Sequence, residues 1–223
     1  MHNPLTRDFD RKLARLDRLA GLVEDTLVTL AADLDARIAA EAQDFPEEHR
    51  QDFYEFHAED HHELSTELPT ILRYSVLTGA DTACEVYLNN TCETYAEVEG
   101  ATIGLTDLHG RGIERARDYL KKVARIPFPD NQPEWTTVRR LHDLRNAIVH
   151  ADGLVPPSRK DLLQWSASIP GLRITESGVI AFGREFTGAA LAAYQAFAER
   201  VDEACEELKL WRSVFPPLPV EDG

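Results

Sequence analysis

The sequence contains few cysteines and no stretch long enough to cross a membrane. Its 223 residues include three cysteines, Cys84, Cys92 and Cys205, too few for a paired disulfide framework. Cys84 and Cys92 lie in a stretch with apolar periodicity, which predicts reduced cysteines in the core. The initial "MHNPLTRDFD" contains no hydrophobic signal core. We therefore expect a soluble, cytoplasmic protein without a membrane segment.

Positive charge is also scarce. The chain has 24 Lys and Arg residues against 39 acidic residues, which gives a formal net charge of −15 at pH 7. Most of this surface would repel a nucleic-acid backbone, so RNA or DNA would have to bind at a local basic patch. Hydrophobic residues form 43% and charged residues 28% of the chain, a balance typical of a folded globular protein.

Several catalytic and metal-binding signatures are absent. No Gly-x-Ser-x-Gly sequence indicates a serine hydrolase, and "GATIGLTDLHGRG" lacks the glycine spacing of a phosphate-binding loop. The segment "HAEDHH" places His57 and His61 one helical turn apart, but Ala58 stands where a zinc metalloprotease has glutamate. On so acidic a helix, a solvated face is the favoured interpretation. We expect no metal centre and no cofactor, and the role of His57, His61 and His62 stays open.

The first half of the chain predicts three helices. A long amphipathic helix covers residues 6–43, with Thr6 or Asp8 as its cap. Its apolar residues recur at three- and four-residue steps: Leu13, Leu16, Leu19, Val23, Leu27, Leu30 and Leu34. A shorter, acidic helix follows, whose apolar anchors are expected to be Phe53, Tyr54 and Phe56. A third helix over residues 66–99 has a potential kink at Gly79. Its expected core positions are Ile71, Leu72, Val76, Cys84, Tyr87, Leu88, Cys92 and Tyr95.

The second half predicts three more helices and one hairpin. A helix runs from about Gly110 to Arg125, and the next begins with Pro133 and ends near Gly153. Two short β-prone runs around the Glu176-Ser177-Gly178 turn predict a hairpin over about residues 172–182. A long final helix precedes a tail over about residues 214–223 that is expected to be loose. The sequence therefore predicts a mainly α fold, one antiparallel helical bundle over residues 1–223 with the hairpin packed on it.

One arginine lies among apolar positions of the helix that starts at Pro133. At about 100° per residue, Arg145 falls within the apolar arc of this helix, which consists of Val138, Leu141, Leu144, Ile148 and Val149. His150 lies about 140° away from Arg145. Three explanations fit this position. Arg145 pairs with a carboxylate of a neighbouring helix, lies at a subunit interface, or lines a cleft near a loosened helix end.

The segment around this arginine resembles the signature of the HEPN domains, helical nucleotide-binding domains. Arg145-Asn146-Ala147-Ile148-Val149-His150, hereafter the RNx3H motif, has the arginine, polar residue and histidine of that family near a helix end. The resemblance is specific over about residues 133–155 and architectural elsewhere. It implies a metal-independent endoribonuclease that acts as a homodimer, in a toxin or antiviral role, with the two motifs meeting in one cleft.

The resemblance also implies roles for the residues of the motif. His150 would transfer a proton at the ribose 2′-hydroxyl or at the leaving oxygen, and Arg145 would clamp the scissile phosphate. Asn146 would orient the histidine or the phosphate. The chain departs from toxins of this family at Asp152, where many carry a tyrosine, so regulation through that tyrosine is not expected.

Residues near the motif are assigned to substrate binding. They are Arg139, Arg140 and Asp143. Asp143 and Asp152 would repel a phosphodiester unless they are paired. The basic residues that could offset them are Arg139, Arg140, Arg111, Arg115 and Arg117. The run "RGIERARDYLKKVAR" is the best local basic patch, although a solvated helix face is its favoured interpretation.

The sequence leaves two functions open. The first is a homodimeric ribonuclease that binds single-stranded RNA and is controlled by an antitoxin or another protein partner. The second is a non-catalytic helical module that dimerises and binds a protein or a nucleotide, which the charge of −15 favours.

Overall fold

The computed structural model describes residues 3–207 and confirms a mainly α fold with one small antiparallel sheet. The helices are α1 (Pro4–Glu41), α2 (Arg50–Phe56), α3 (Ala58–His62), α4 (Leu68–Glu99), α5 (Gly112–Lys122), α6 (Pro133–Ala151), α7 (Lys160–Ser166) and α8 (Arg184–Glu207). The strands are β1 (Leu172–Ile174) and β2 (Ile180–Phe182). The predicted loose tail over 214–223 and the last residues of the predicted final helix lie outside the described residues.

Helix α1 begins with an asparagine cap. The side chain of Asn3 accepts hydrogen bonds from the amides of Leu5 at 2.7 Å and Thr6 at 3.0 Å, which satisfies two of the free N–H groups of the first turn. The prediction of Thr6 or Asp8 as the cap was therefore wrong. Thr6 is buried, and its hydroxyl lies 3.4 Å from the hydroxyl of Tyr87 on α4. Pro4 occupies the first helical turn, where its missing N–H costs nothing.

The apolar stripe of α1 is only partly buried. Leu13, Leu27 and Leu34 are buried as predicted, whereas Leu19 and Leu30 are 52% and 47% exposed. Helix α1 has 38 residues, and its neighbours cover only a narrow face of it. The apolar side chains at the edges of the stripe therefore remain in water.

The acidic segment after α1 is not one helix. It forms α2, α3 and a π-helical turn over Glu63–Glu67, preceded by two short 3₁₀ turns. Tyr54 and Phe56 were predicted as apolar anchors, but they are 45% and 79% exposed. Phe53 is the half-buried member, and its ring packs 4.7 Å from that of Phe45. Sparse apolar residues leave this segment little surface to bury against the bundle.

Helix α4 lies at the centre of the bundle and contacts α1, α5, α6 and α8. The predicted core residues that are fully buried are Val76, Cys84, Tyr87, Leu88 and Cys92. Ile71 was also predicted in the core but is 60% exposed. The helix continues through Gly79, where a Cβ atom would lie 3.3 Å from Cδ2 of Leu16. Glycine at this position allows α1 to approach α4 closely.

The three cysteines are free and buried, which confirms the prediction for Cys84 and Cys92 and adds Cys205 to the core. Burial raises the pKa of the Cys84 thiol well above its ordinary value and that of Cys92 to about 12. Thiols that remain protonated near neutral pH are weak nucleophiles. None of the helices over residues 3–207 combines the length and apolarity of a membrane span.

The predicted hairpin is confirmed and packs on α4. Strand β1 pairs antiparallel with β2, with Leu172 opposite Phe182 and Ile174 opposite Ile180. The guanidinium of Arg73 donates to the carbonyl of Phe182 at 2.7 Å, and the hydroxyl of Tyr74 donates to that of Ile180 at 2.6 Å. These two bonds fix the isolated strand pair to the bundle, because two strands alone are marginally stable.

Gly153 connects the end of α6 to the hairpin in a left-handed conformation, with φ of +75°. A Cβ atom there would lie 3.0 Å from Cε2 of Tyr74. We expect Gly153→Ala to lower the free energy of unfolding by about 1–3 kcal/mol, because strain and overlap add. Urea denaturation measures this change. Gly188→Ala in α8, where no atom lies within 4 Å, should instead raise stability slightly, and equal effects of the two variants would contradict the prediction.

Candidate functional site

The RNx3H motif occupies the last two turns of α6. Pro133 begins the helix as predicted, and Asp152 and Gly153 end it with positive φ angles of 51° and 75°. The amides of both residues bond to the carbonyl of Ala147, which satisfies an orphan acceptor of the last turn. The helix remains regular through His150, so the predicted loosening of its end begins only after the motif.

Arg145 pairs with a carboxylate on α4, as one of the three sequence explanations anticipated. Its Nε atom lies 3.6 Å from Oδ2 of Asp81, an ion-pair distance that is too long for a hydrogen bond. The side chain of Asp81 is 1% exposed and that of Arg145 is 23% exposed. Nη1 of Arg145 donates to Oδ1 of Asn146 at 3.1 Å, its one hydrogen bond within residues 3–207. The guanidinium is therefore oriented but keeps unbonded donors.

Asp81 is the residue of this site that sequence reasoning missed. Its carboxylate accepts hydrogen bonds from the Tyr194 hydroxyl at 3.0 Å and lies 3.0 Å from Nδ1 of His142. Three helices thus converge on one carboxylate, α4 through Asp81, α6 through His142 and Arg145, and α8 through Tyr194. A signal was available, because Asp81 follows Leu77 and precedes Cys84 at core spacing on α4.

The Arg145–Asp81 pair differs from the other buried arginine pair near α4. Arg73 contacts Glu24 of α1 with two hydrogen bonds, at 2.6 and 2.8 Å, and adds a third bond to the hairpin. This is the geometry of a bidentate ion pair, in which every guanidinium nitrogen has an acceptor. The guanidinium of Arg145 has neither the bidentate contact nor a backbone acceptor among the described residues.

His142 shares the carboxylate with Arg145. Burial alone would lower the pKa of His142, but the hydrogen bond with Asp81 and the charge of Asp81 outweigh it, so the pKa is raised above 6.5. Burial, together with Asp81, also raises the pKa of Tyr194 well above its ordinary value, so that its hydroxyl stays a donor.

The raised pKa of His142 makes stability depend on pH. The charged imidazole contributes stability that is fully present below about pH 6.5 and is lost as the pH rises through the higher folded-state pKa. We expect wild type to lose stability relative to His142→Gln across this window. Urea denaturation of both proteins from pH 5.5 to 8.5 measures the difference, and a constant difference would contradict the prediction.

His150 lies apart from Arg145, on the exposed side of α6. Within residues 3–207 it makes neither a hydrogen bond nor an ion pair, so one chain does not bring the two motif residues together through a shared contact. Exposed apolar residues surround this end of the helix, namely Val149 at 47%, Leu154 at 47% and Val179 at 38%. Leu154 and Val179 are paired in one β-bridge, and we call these two residues and Val149 the α6-end patch.

The three residues assigned to substrate binding line one groove at the start of α6, with Thr136, Arg159 and Asp161. Each is already paired. Arg139 contacts Glu114 at 2.8 Å, Arg140 contacts Asp161, and Asp143 contacts Arg159 at 2.5 Å. The Arg140 and Arg159 hydrogen bonds lower the pKa of Asp161 to about 2. The contact with Arg159 balances the negative charge of Asp143 near the motif. The sequence did not indicate this pair.

Three of the six basic residues in the run on α5 are paired with acids. Arg117 contacts Asp130 at 2.5 Å, Lys121 contacts the same carboxylate, and Lys122 contacts Asp118 at 2.6 Å. These contacts fit its interpretation as a solvated helix face.

The histidine segment of α3 contacts single carboxylates. His57 lies 3.3 Å from Asp60, His61 3.6 Å from Asp35, and His62 3.8 Å from Glu67. In the part of the chain that the structure describes, no group of three or more His, Cys, Asp or Glu side chains is arranged to hold a metal ion.

No protein-family model matches the chain, and neither a curated protein nor a solved structure is significantly similar to it. The resemblance to the HEPN domains therefore rests on the motif and on the helical architecture.

Proposed function

We propose that this protein is a HEPN-like, metal-independent endoribonuclease that acts as a homodimer on single-stranded RNA, in a toxin or antiviral defence role. The observation that carries the proposal is the incomplete pairing of Arg145. A buried carboxylate orients this guanidinium, yet its Nε has no hydrogen-bond acceptor and the side chain is 23% exposed. Arg73, in the same bundle, instead makes a hydrogen bond with each of its three guanidinium nitrogens.

The chemistry requires a base, an acid and a phosphate clamp. The ribose 2′-oxygen attacks phosphorus, the bond from phosphorus to the 5′-oxygen breaks, and the products are a 2′,3′-cyclic phosphate and a 5′-hydroxyl. One histidine accepts the proton of the 2′-hydroxyl, and a protonated histidine donates one to the leaving oxygen. His150 is suited to both steps because it is exposed and an imidazole ring can either accept or donate a proton. Arg145 stabilises the charge that grows on the phosphate oxygens.

A second copy of the chain supplies what one helix lacks. Arg145 and His150 lie about 140° apart on α6, and a two-fold axis beside the motif would place Arg145 of one copy near His150 of the other. The α6-end patch supports this position for the axis, because exposed apolar side chains adjoin the motif. Asn146 holds Arg145 in this arrangement through its Oδ1. Arg139 and Arg140 guide the RNA strand along the groove at the start of α6.

The proposal is tested by cleavage of a labelled single-stranded RNA in excess chelator. Wild type should cleave and leave 2′,3′-cyclic phosphate ends, and His150→Ala should reduce the rate by about 10²–10⁴-fold. The control is His62→Ala, which removes a histidine that is 60% exposed on α3. Equal rates for wild type and His150→Ala, or no cleavage by wild type, would refute the nuclease.

A non-catalytic module for dimerisation and protein or nucleotide binding is the second candidate. Two observations favour it: Arg145 has a carboxylate partner, and the substrate-binding arginines are paired with acids. This function predicts that wild type and His150→Ala are both inactive on RNA, while Arg145→Ala destabilises the fold or the dimer.

A further inference from the structure

The polar cluster around Asp81 contains a second cation that the RNx3H motif does not include. His142 precedes Arg145 by one helical turn, and both contact the same carboxylate. Their side chains are 22% and 23% exposed, whereas Asp81 is 1% exposed. The carboxylate therefore lies beneath two cationic groups whose outer edges reach the surface.

Both cationic groups keep donors without acceptors. The bond with Asp81 occupies Nδ1 of His142, and its Nε2 has no hydrogen-bond partner among residues 3–207. Nε of Arg145 is buried and unbonded, and Nη1 is the one guanidinium nitrogen with a hydrogen bond there. Nη2 of Arg145 and Nε2 of His142 likewise lack acceptors within residues 3–207, but these two atoms are not buried. An anion with several acceptor oxygens could accept from both of them at the surface.

The charges around the cluster are balanced. With His142 protonated, the two cations exceed the charge of Asp81 by one, and Glu85 on α4 offsets this excess. A Cβ atom at Gly112 would lie 3.7 Å from both His142 and Glu85, so the two side chains lie beside the same residue. Asp143 on the same helix and the Tyr194 hydroxyl on α8 also face His142. Arg159 balances Asp143 at 2.5 Å.

We propose that Asp81 holds His142 and Arg145 of one chain side by side as a binding site for a single phosphate group. Asp81 is the positioning residue, and His142 and Arg145 are the ligand-binding residues. The site itself is inferred from the positions and exposure of these three side chains. Its assignment to the phosphate of an RNA strand rests on the proposed nuclease, in which His142 would add a second cationic contact beside Arg145.

The test is an NMR titration of the histidine ring signals at pH 6 in low salt, with inorganic phosphate in one series and adenosine 3′-monophosphate in another. The His142 signals should shift saturably in wild type. Arg145→Gln should weaken binding at least about tenfold, whereas Arg184→Gln, which removes a 55% exposed arginine on α8, should not change it. Glu85→Gln should strengthen binding, because it removes the nearby negative charge.

Equal affinities for the two probes identify a free phosphate group as the ligand, and tighter binding of the nucleotide identifies an RNA end.

The result in wild type decides the proposal even if a variant fails to fold. Unshifted His142 signals at millimolar phosphate, or shifts that Arg145→Gln leaves unchanged, would overturn the site. Cleavage of RNA in chelator by His142→Gln at the wild-type rate, with no phosphate binding in wild type, would overturn it and leave the nuclease intact. Phosphate binding without RNA cleavage in wild type would support the site and refute the nuclease.

Discussion

Asp81→Ala is expected to lower the free energy of unfolding by about 3–5 kcal/mol, because it leaves buried partners without their carboxylate. The substitution removes the acceptor of the buried Tyr194 hydroxyl and the counter-charge of His142 and Arg145. Two cations and a hydroxyl then face a cavity instead of a carboxylate. Urea denaturation at pH 6 measures the effect, since His142 is charged under these conditions.

The matched control is Asp25→Ala. Asp25 also pairs with an arginine, Arg184, but it is 71% exposed, so its removal should change stability by less than about 1 kcal/mol. Similar losses for Asp81→Ala and Asp25→Ala would show that the convergence of α4, α6 and α8 on Asp81 contributes little to the fold.

Arg145→Ala is expected mainly to reduce the rate of RNA cleavage, whereas Arg73→Ala is expected mainly to reduce stability. Arg145→Ala should reduce RNA cleavage by about 10²–10³-fold, because it removes the donors that stabilise the phosphate in the transition state. Arg73→Ala should keep the cleavage rate of the folded fraction but cost about 3–5 kcal/mol, since Glu24, 8% exposed, loses its bidentate partner. Single-turnover cleavage in chelator and urea denaturation measure both quantities for each variant.

A loss of cleavage with Arg73→Ala as large as that with Arg145→Ala would contradict this division. It would mean that any disturbance beside α4 abolishes activity, so that Arg145 has no special contact with the substrate. A large stability loss for Arg145→Ala with no effect on cleavage would favour the non-catalytic module.

Much of the fold followed from local signals in the sequence. Pro133 and Gly153 set the bounds of α6, because proline is tolerated in the first turn and glycine adopts the left-handed conformation after the last. The hairpin followed from its turn residues and β-prone runs. The seven residues of α7 carry too few turns to show a period, and this helix was not predicted.

Burial was harder to predict than secondary structure. Ile71, Tyr54 and Phe56 lie at apolar positions of helical segments but remain exposed, because the periodicity of one helix does not tell where its neighbours end. The partial burial of Arg145 agrees with its position within the apolar arc of α6. Its partner could not be predicted, because Asp81 lies 64 positions earlier in the chain and only tertiary packing brings the two residues together.

A mixed dimer tests whether the RNx3H motifs of two copies form one phosphodiester-cleaving cleft. Differently tagged wild-type and Arg145→Ala chains are co-expressed, the heterodimer is purified through both tags, and its cleavage of single-stranded RNA in chelator is compared with that of the wild-type dimer. If the two copies share one cleft, a single altered chain should reduce the rate of the whole heterodimer by at least about tenfold. A heterodimer with about half the wild-type rate, or chains that remain monomeric and active, would show that the cleft is not shared.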